Sequence, residues 1–143
     1  MKKVIWLPVI LLIAFIFFNS SMDAETSSKM SGPIAELIQS LLQLTDGIIP
    51  VEFLIRKAAH FSEYALLGIL VMTAQKQSPL SIKPSLVYSL FLVIPIIDEN
   101  IQRFSLGRSC ETRDMMIDAC GYLFGLIIYQ WNHYHLKRRK NHV

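Results

Sequence analysis

The sequence predicts an all-α membrane protein, a bundle of four transmembrane helices in which the 143 residues form a single domain. Hydrophobic residues make up 52% of the chain and charged residues 17%, whereas a soluble domain has about 45–50% and about 25%. The apolar residues are concentrated in four blocks, and each helical crossing of a bilayer needs about 20 residues. Four crossings leave enough chain for loops and tails but not for a separate soluble domain.

The four apolar blocks predict spans at residues 4–19, 53–74, 86–104 and 112–131. The first block follows Lys2 and Lys3 and has the shape of a secretory signal peptide. However, no Ala-x-Ala cleavage site follows it, which such a peptide normally has. We therefore expect the first block to remain as an uncleaved span.

Basic residues occur in three places that all lie on one side of the membrane if both termini are cytoplasmic. Lys2 and Lys3 precede the first span, Lys76 and Lys83 flank the second connection, and a basic tail covers residues 135–143. The first connection instead carries five acidic residues and a single basic one. Because Lys and Arg accumulate on the cytoplasmic side, the sequence predicts a multi-pass cell-membrane protein with cytoplasmic N- and C-termini.

The first external connection also predicts a short amphipathic helix over residues 31–45. Ser31 suits the N-cap and Pro33 suits the opening turn. The helix either lies in the outer membrane interface or packs on the bundle as a cap, and residues 19–31 before it are predicted to be a linker. The apolar residues that recur at helical spacing are Ile34, Leu37, Ile38, Leu41 and Leu42.

Polar and charged side chains in the second, third and fourth spans all fall near the outer leaflet. Helical spacing puts those of each span on a common face, and Gly121 and Gly125 let another helix approach the fourth span closely. A charge at the centre of a membrane helix costs about 2.5–3.5 kcal/mol, so many ionisable groups at one depth favour a ligand site over packing alone. The loop after the third span is predicted to cover this site. The predicted binding residues are Arg56, Lys57, His60, Glu63, Tyr64, Asp98, Glu99, Gln102, Arg108, Asp114 and Asp118.

The cations of this set are candidates for binding a phosphate or carboxylate group. Arginine binds such groups through two parallel hydrogen bonds, and lysine binds them as a point charge. The alternative for His60 is a hydrogen bond that joins two helices. The carboxylates either neutralise the cations, hold a divalent metal ion or supply a general base. The sequence has no dedicated metal-ligand spacing, so it predicts no metal site, and it assigns no catalytic residue and no cofactor.

Several linked segments of the sequence resemble the signatures of VanZ-like membrane proteins. They are Arg56–Ala65, Asp98–Phe104, Gly107–Arg108, Asp114, Gly121 and Gly125, and Phe18–Ser21 is similar to the Ser-rich exit of that family's first span. The resemblance covers nearly the whole chain. It implies the membrane fold and location. The family takes its name from a protein associated with reduced susceptibility to the glycopeptide teicoplanin, and most members are uncharacterised bacterial proteins.

Two positions depart from the VanZ-like pattern. Leu106 stands in place of a usual Pro before Gly-Arg, and Asp118 stands where the family usually has Asn. The second difference adds a further negative charge to the predicted site.

Three functions remain open at this point. The first is a cell-envelope accessory protein that binds an anionic headgroup or a cell-wall precursor at the outer leaflet, with the resemblance implying a link to glycopeptide susceptibility. The second is a small membrane enzyme acting on a phosphorylated lipid, which ranks lower because no catalytic triad and no phosphate-binding glycine loop is visible. The third is a structural subunit without a ligand. Membrane lipids are the expected partners, nucleic acid is not, and the oligomeric state is not predicted.

Overall fold

The computed structural model describes residues 4–42, 50–78, 83–108 and 111–140. Within these residues the chain is helical and has no strand, as predicted. A 3-10 turn over Val4–Trp6 leads into five α-helices, which are α1 (Leu7–Ser21), α2 (Ala24–Leu42), α3 (Val51–Gln77), α4 (Pro84–Arg103) and α5 (Thr112–Lys140).

Helices α1, α3, α4 and α5 correspond to the four predicted spans, although their ends differ. Helix α3 covers Val51–Gln77 rather than residues 53–74. Helix α5 continues to Lys140, so most of the tail predicted at residues 135–143 belongs to this helix. Lys and Arg have high helix propensity, and cations are favoured near a helix C-terminus by the helix dipole.

Helix α2 begins at Ala24, so the predicted start at Ser31 is wrong. Asp23 accepts a 2.7 Å hydrogen bond from the backbone N–H of Thr26, which is the contact of an N-cap. Hydrogen bonds from the Thr26 side chain and, second, from the Thr26 backbone N–H hold the pKa of the Asp23 carboxyl below its usual range. Ser31 lies inside the helix and donates its hydroxyl to a backbone carbonyl one turn earlier. Most of the predicted linker is therefore helical, and the predicted helix end at residues 43–45 lies outside the described residues.

Helices α3 and α5 make the most extensive helix–helix contact in the described part of the chain. A Cβ atom on Gly125 would lie 2.0 Å from the carbonyl oxygen of Ala65, and one on Gly121 would lie 2.5 Å from that of Phe61. The two backbones can approach this closely only because both positions lack a side chain. The close approach predicted from the spacing of these glycines is confirmed.

Two segments, Val4–Ser21 and Pro84–Arg103, are long and apolar enough to cross a membrane. Both keep large apolar side chains exposed, among them Ile10 and Phe18 in the first and Ile96 in the second. Water-soluble monomers rarely expose extended apolar surface, so these faces indicate contact with lipid. Helices α3 and α5 are also long, but they carry too many polar and charged residues to be identified as spans by composition.

Candidate functional site

The predicted site residues come together at one end of the bundle, which we call the polar end. The N-terminal halves of α3 and α5 meet the last turns of α4 there, beside the end of α1 and the start of α2. The hydroxyl of Ser105 donates to the carbonyl of Ser20 at 3.0 Å. The backbone N–H of Ala24 donates to the carbonyl of Leu106, also at 3.0 Å. These two bonds fasten the segment after α4 across the polar end.

Two charged contacts join α3 to α5 at the polar end. Lys57 forms an ion pair with Asp114, and both side chains are mostly buried. One turn further along, Nδ1 of His60 lies 3.7 Å from Oδ1 of Asp118. Lys57 also lies over the ring of Phe53, with 5.1 Å from Nζ to the ring centroid. Lys57 and His60, which belong to the predicted polar face of α3, thus face α5, and Asp114 neutralises the charge of Lys57.

Helix α4 contributes three buried polar side chains to the polar end. Asp98 and Glu99 are both 0% exposed, and Gln102 is 6% exposed. The side-chain amide of Gln102 donates to Oδ2 of Asp98 at 3.3 Å, which confirms the predicted shared face. Glu99 accepts a hydrogen bond from the backbone N–H of Glu111, so this carboxylate fixes the chain just before α5 begins.

Glu63 and Tyr64 lie deeper, and Glu63 contacts a helix that the sequence did not assign to the site. Glu63 accepts a 3.2 Å hydrogen bond from the side-chain amide of Asn19 at the end of α1. Tyr64 is fully buried. Asn19 and Ser20 were not predicted as site residues, although two polar residues directly after an apolar block are a signal that this helix end is in a polar environment.

The two arginines of the site have few partners. Arg56 lies 3.7 Å from Glu52, and both side chains are about one-third exposed. Arg108 follows Gly107, whose φ of +73° lies in the left-handed region that favours glycine. Among the described residues, the Arg108 guanidinium forms no ion pair within 4.0 Å, and its buried Nε has no hydrogen-bond partner. Burial, followed by the nearby charge of Arg56, lowers the pKa of Arg108, but a guanidinium stays protonated in proteins.

Two cavities at the polar end share Arg56, His60 and Arg108 in their walls. The smaller one, of about 140 Å³, also contacts Lys57, Gln102 and Asp114 and is largely polar. The larger one, of about 270 Å³, extends between α1, α2 and α3, and its apolar wall includes Phe15, Met22, Met30, Ile34 and Ile55. A third cavity of about 540 Å³ lies at the opposite end of the bundle and contains none of the predicted site residues.

One group of side chains at the polar end has the composition of a metal site. His60, Asp98 and Asp118 each place a potential ligand atom within 4.8 Å of the other two. Asp118 is 1% exposed, and its Oδ2 has no hydrogen-bond partner among the described residues.

The family comparison covers nearly all of this structure. The VanZ/LLP1 family model matches residues 5–133, which include all the predicted site residues. No curated protein sequence and no solved structure matches the chain. The matched range includes all but the first residue of the two candidate membrane-spanning segments, and together these findings indicate a membrane protein. The chain belongs to the VanZ/LLP1 family.

Proposed function

We propose that this protein is a cell-envelope accessory protein that binds the anionic headgroup of a lipid or a lipid-linked cell-wall precursor at the outer leaflet. It crosses the membrane four times, with α1, α3, α4 and α5, and both termini are cytoplasmic. The polar end lies at the outer surface, and α2 lies along the outer interface.

The observation that carries this proposal is the incomplete neutralisation of Arg56 and Arg108. Both arginines line both cavities at the polar end, and Arg108 has no ion pair within 4.0 Å among the described residues. Keeping a half-buried charge without a partner is costly. A phosphate or carboxylate group in the cavity would supply the missing partner and accept the paired N–H groups of a guanidinium.

The shape of the larger cavity supports an amphiphilic ligand. Its polar wall includes Arg56, His60 and Arg108 together with the side chains of Asn19 and Glu63, while Phe15 and Ile34 belong to its apolar wall. Phe15 and Ile34 are also about half exposed, so the cavity is continuous with the apolar surfaces of α1 and α2. A headgroup bound by the arginines would therefore leave its acyl or isoprenoid chain along α1, in contact with lipid.

The charges and the exposed surface support the four-span topology. Lys76 near the end of α3, Lys83 just before α4 and Lys137 near the end of α5 lie at the end of the bundle opposite the polar end, where cytoplasmic Lys and Arg are expected. Helix α2 exposes Ile34, Leu37, Leu41 and Leu42, which suits a helix lying in the interface. Lys57 and His60 of α3 contact Asp114 and Asp118 across the contact with α5, so these four groups are not presented to lipid.

The proposal also includes a link to glycopeptide susceptibility. A protein that binds an envelope precursor at the outer leaflet would compete with an antibiotic that recognises the same molecule. Expression of the protein in a susceptible bacterium is expected to raise the teicoplanin concentration needed to stop growth, and Arg108→Ala is expected to remove that effect.

The second candidate is a membrane enzyme that acts on a phosphorylated lipid. The contact between His60 and Asp118 favours it, because a carboxylate can orient an imidazole for proton transfer. His60 has no hydrogen bond to a serine, threonine or cysteine among the described residues, so this candidate ranks below the binding protein. Release of inorganic phosphate from added lipid phosphates by purified protein, abolished in His60→Ala, would support the enzyme over the binding protein.

Mass spectrometry of lipids that co-purify in a mild detergent tests the binding proposal. We expect a phosphate-bearing lipid to be enriched with the wild type. The double variant Arg56→Ala/Arg108→Ala is expected to retain at least about tenfold less of this lipid, because a loss of about 1.4 kcal/mol of binding free energy already weakens binding tenfold. Arg103→Ala is the matched control, because Arg103 is an exposed arginine at the end of α4 that lines neither cavity. Equal enrichment with all three proteins would rule out the arginine site.

A further inference from the structure

We propose that His60, Asp98 and Asp118 form a binding site for a divalent transition-metal ion, of which Mn²⁺ and Zn²⁺ fit the ligands best. The inference goes beyond the binding of an anionic headgroup, and its test requires no lipid. The three ligands come from α3, α4 and α5, so the ion would join the three helices at the polar end.

The distances match a site that closes around an ion. The three ligand atoms lie within 4.8 Å of one another, and His60 Nδ1 lies 3.7 Å from Asp118 Oδ1. Nitrogen and oxygen ligands lie about 2.0–2.2 Å from Zn²⁺ in a tetrahedral arrangement, so two ligands of one ion are separated by about 3.4 Å. The His60–Asp118 separation is already close to this value, and no other separation in the cluster has to contract by more than about 1.4 Å, which side-chain rotations can provide.

The charge of the cluster matches a divalent cation. Asp98 is 0% exposed and Asp118 is 1% exposed, and no Lys or Arg lies within 4.0 Å of either carboxylate among the described residues. Lys57, the nearest lysine in sequence to His60, is instead paired with Asp114. Two buried carboxylates with no lysine or arginine in direct contact favour the binding of protons or of a cation, because burying a charge without a close partner is strongly unfavourable.

An unpartnered oxygen provides independent support for a ligand. Oδ2 of Asp118 is shielded from solvent and accepts no hydrogen bond among the described residues. Buried polar atoms are almost always hydrogen-bonded, and the exceptions in native proteins often mark an ion or water that completes the site. Oδ2 of Asp98, in contrast, is oriented by Gln102 at 3.3 Å, as expected for a carboxylate ligand held by a neighbouring side chain.

The ligand types select the kind of metal. Imidazole favours transition metals over Mg²⁺ and Ca²⁺, while carboxylates suit Mn²⁺ and also bind Zn²⁺. Three protein ligands leave at least one coordination position for water or for an anionic oxygen. Since His60 also lines both cavities, an ion at this site would lie next to any phosphate bound by Arg56 and Arg108.

The experiment is a titration of chelator-treated, detergent-purified full-length protein with Mn²⁺ and with Zn²⁺, followed by calorimetry and by the melting temperature. The wild type is expected to bind one ion per chain and to melt at a higher temperature when the metal is present, since a ligand of the folded state stabilises it. Asp118→Asn keeps the size of the side chain and is expected to weaken binding at least about tenfold, given that even outer-shell changes cost 10–100-fold.

Glu52→Gln is the matched control, because Glu52 is a partly buried carboxylate on the same helix as His60 but lies outside the cluster and lines neither cavity. It is expected to bind metal like the wild type. If Asp118→Asn does not fold, His60→Gln replaces it in the same comparison. The proposal is overturned if the wild type binds no stoichiometric metal, or if a folded cluster variant binds metal as tightly as the wild type.

Discussion

Lys57 and Arg108 show how two cations at the same end of the bundle differ in their roles. Lys57 is paired with Asp114 across the contact between α3 and α5, and its side chain also lies over Phe53. Arg108 lies in a loop after a glycine, with no ion pair among the described residues. The sequence grouped both as ligand-binding cations, because spacing along a helix shows which residues share a face but not which partner neutralises each one.

Replacing Lys57 is expected to destabilise the protein more when Asp114 is kept than when Asp114 is replaced as well. Lys57→Ala leaves the mostly buried Asp114 carboxylate unpaired, which is expected to destabilise the protein by about 1–3 kcal/mol and lower its melting temperature in detergent. Lys57→Ala/Asp114→Ala removes both charges and should recover part of that loss. A double variant that is less stable than the single one would show that the pair is not coupled in this way.

At the level of the helix, local patterns predicted faces well and helix starts less well. The glycine spacing of α5 predicted that another helix approaches it closely, and helical spacing predicted the common polar face of α3, because helical geometry fixes which residues share a side. The start of α2 was misplaced because Ser31-x-Pro33 has the composition of an N-terminus, yet Asp23 provides the cap that the chain uses. Asp23 lies eight residues before Ser31, within the stretch that was predicted to be a linker.

Two glycine substitutions are expected to have opposite effects on stability, one in the contact between α3 and α5 and one on the open surface of α2. A Cβ on Gly125 would lie 2.0 Å from the carbonyl oxygen of Ala65, whereas a Cβ on Gly32 in α2 would meet nothing within 4 Å. Gly125→Ala is therefore expected to cost at least about 1–3 kcal/mol through overpacking. Gly32→Ala is expected to stabilise α2 by about 0.5–1 kcal/mol, because alanine favours a helix interior over glycine.

Melting temperatures of the two glycine variants in the same detergent provide the measurement. A Gly125→Ala protein that is as stable as the wild type would mean that the two backbones do not approach as closely as the structure describes.

At the level of the whole molecule, the sequence predicted that the charged side chains lie together at one depth. It did not predict which of these side chains lie next to one another. Counting residues along each span placed the charged side chains at one depth. The sequence did not predict that His60, Asp98 and Asp118 converge, because the three residues belong to different helices and their proximity depends on how the helices rotate against one another. A metal site is usually recognised in a sequence by ligands that are closely spaced within one segment. These three ligands come from three different segments, so the sequence gives no such signal.

The proposed orientation predicts different accessibility of two exposed serines. In a protein with Cys110 and Cys120 replaced by Ser, a cysteine at Ser40 on α2 should react with a membrane-impermeant maleimide added to intact cells. A cysteine at Ser85, at the start of α4 near Lys83, should react only after the cells are opened. Both serines are exposed in the structure, so burial does not explain a difference. Labelling of Ser85→Cys from outside would reverse the orientation.

The central claim is that Arg108 serves a ligand rather than the packing of the bundle, and one variant tests it most directly. Arg108→Ala removes a half-buried cation that has no ion pair among the described residues. The melting temperature of this protein and its binding of phosphate-bearing lipid should be measured on the same preparation. We expect an unchanged or higher melting temperature, as is common when a functional charge is removed, together with at least about tenfold weaker binding. A strongly lowered melting temperature with undiminished lipid binding would contradict the claim.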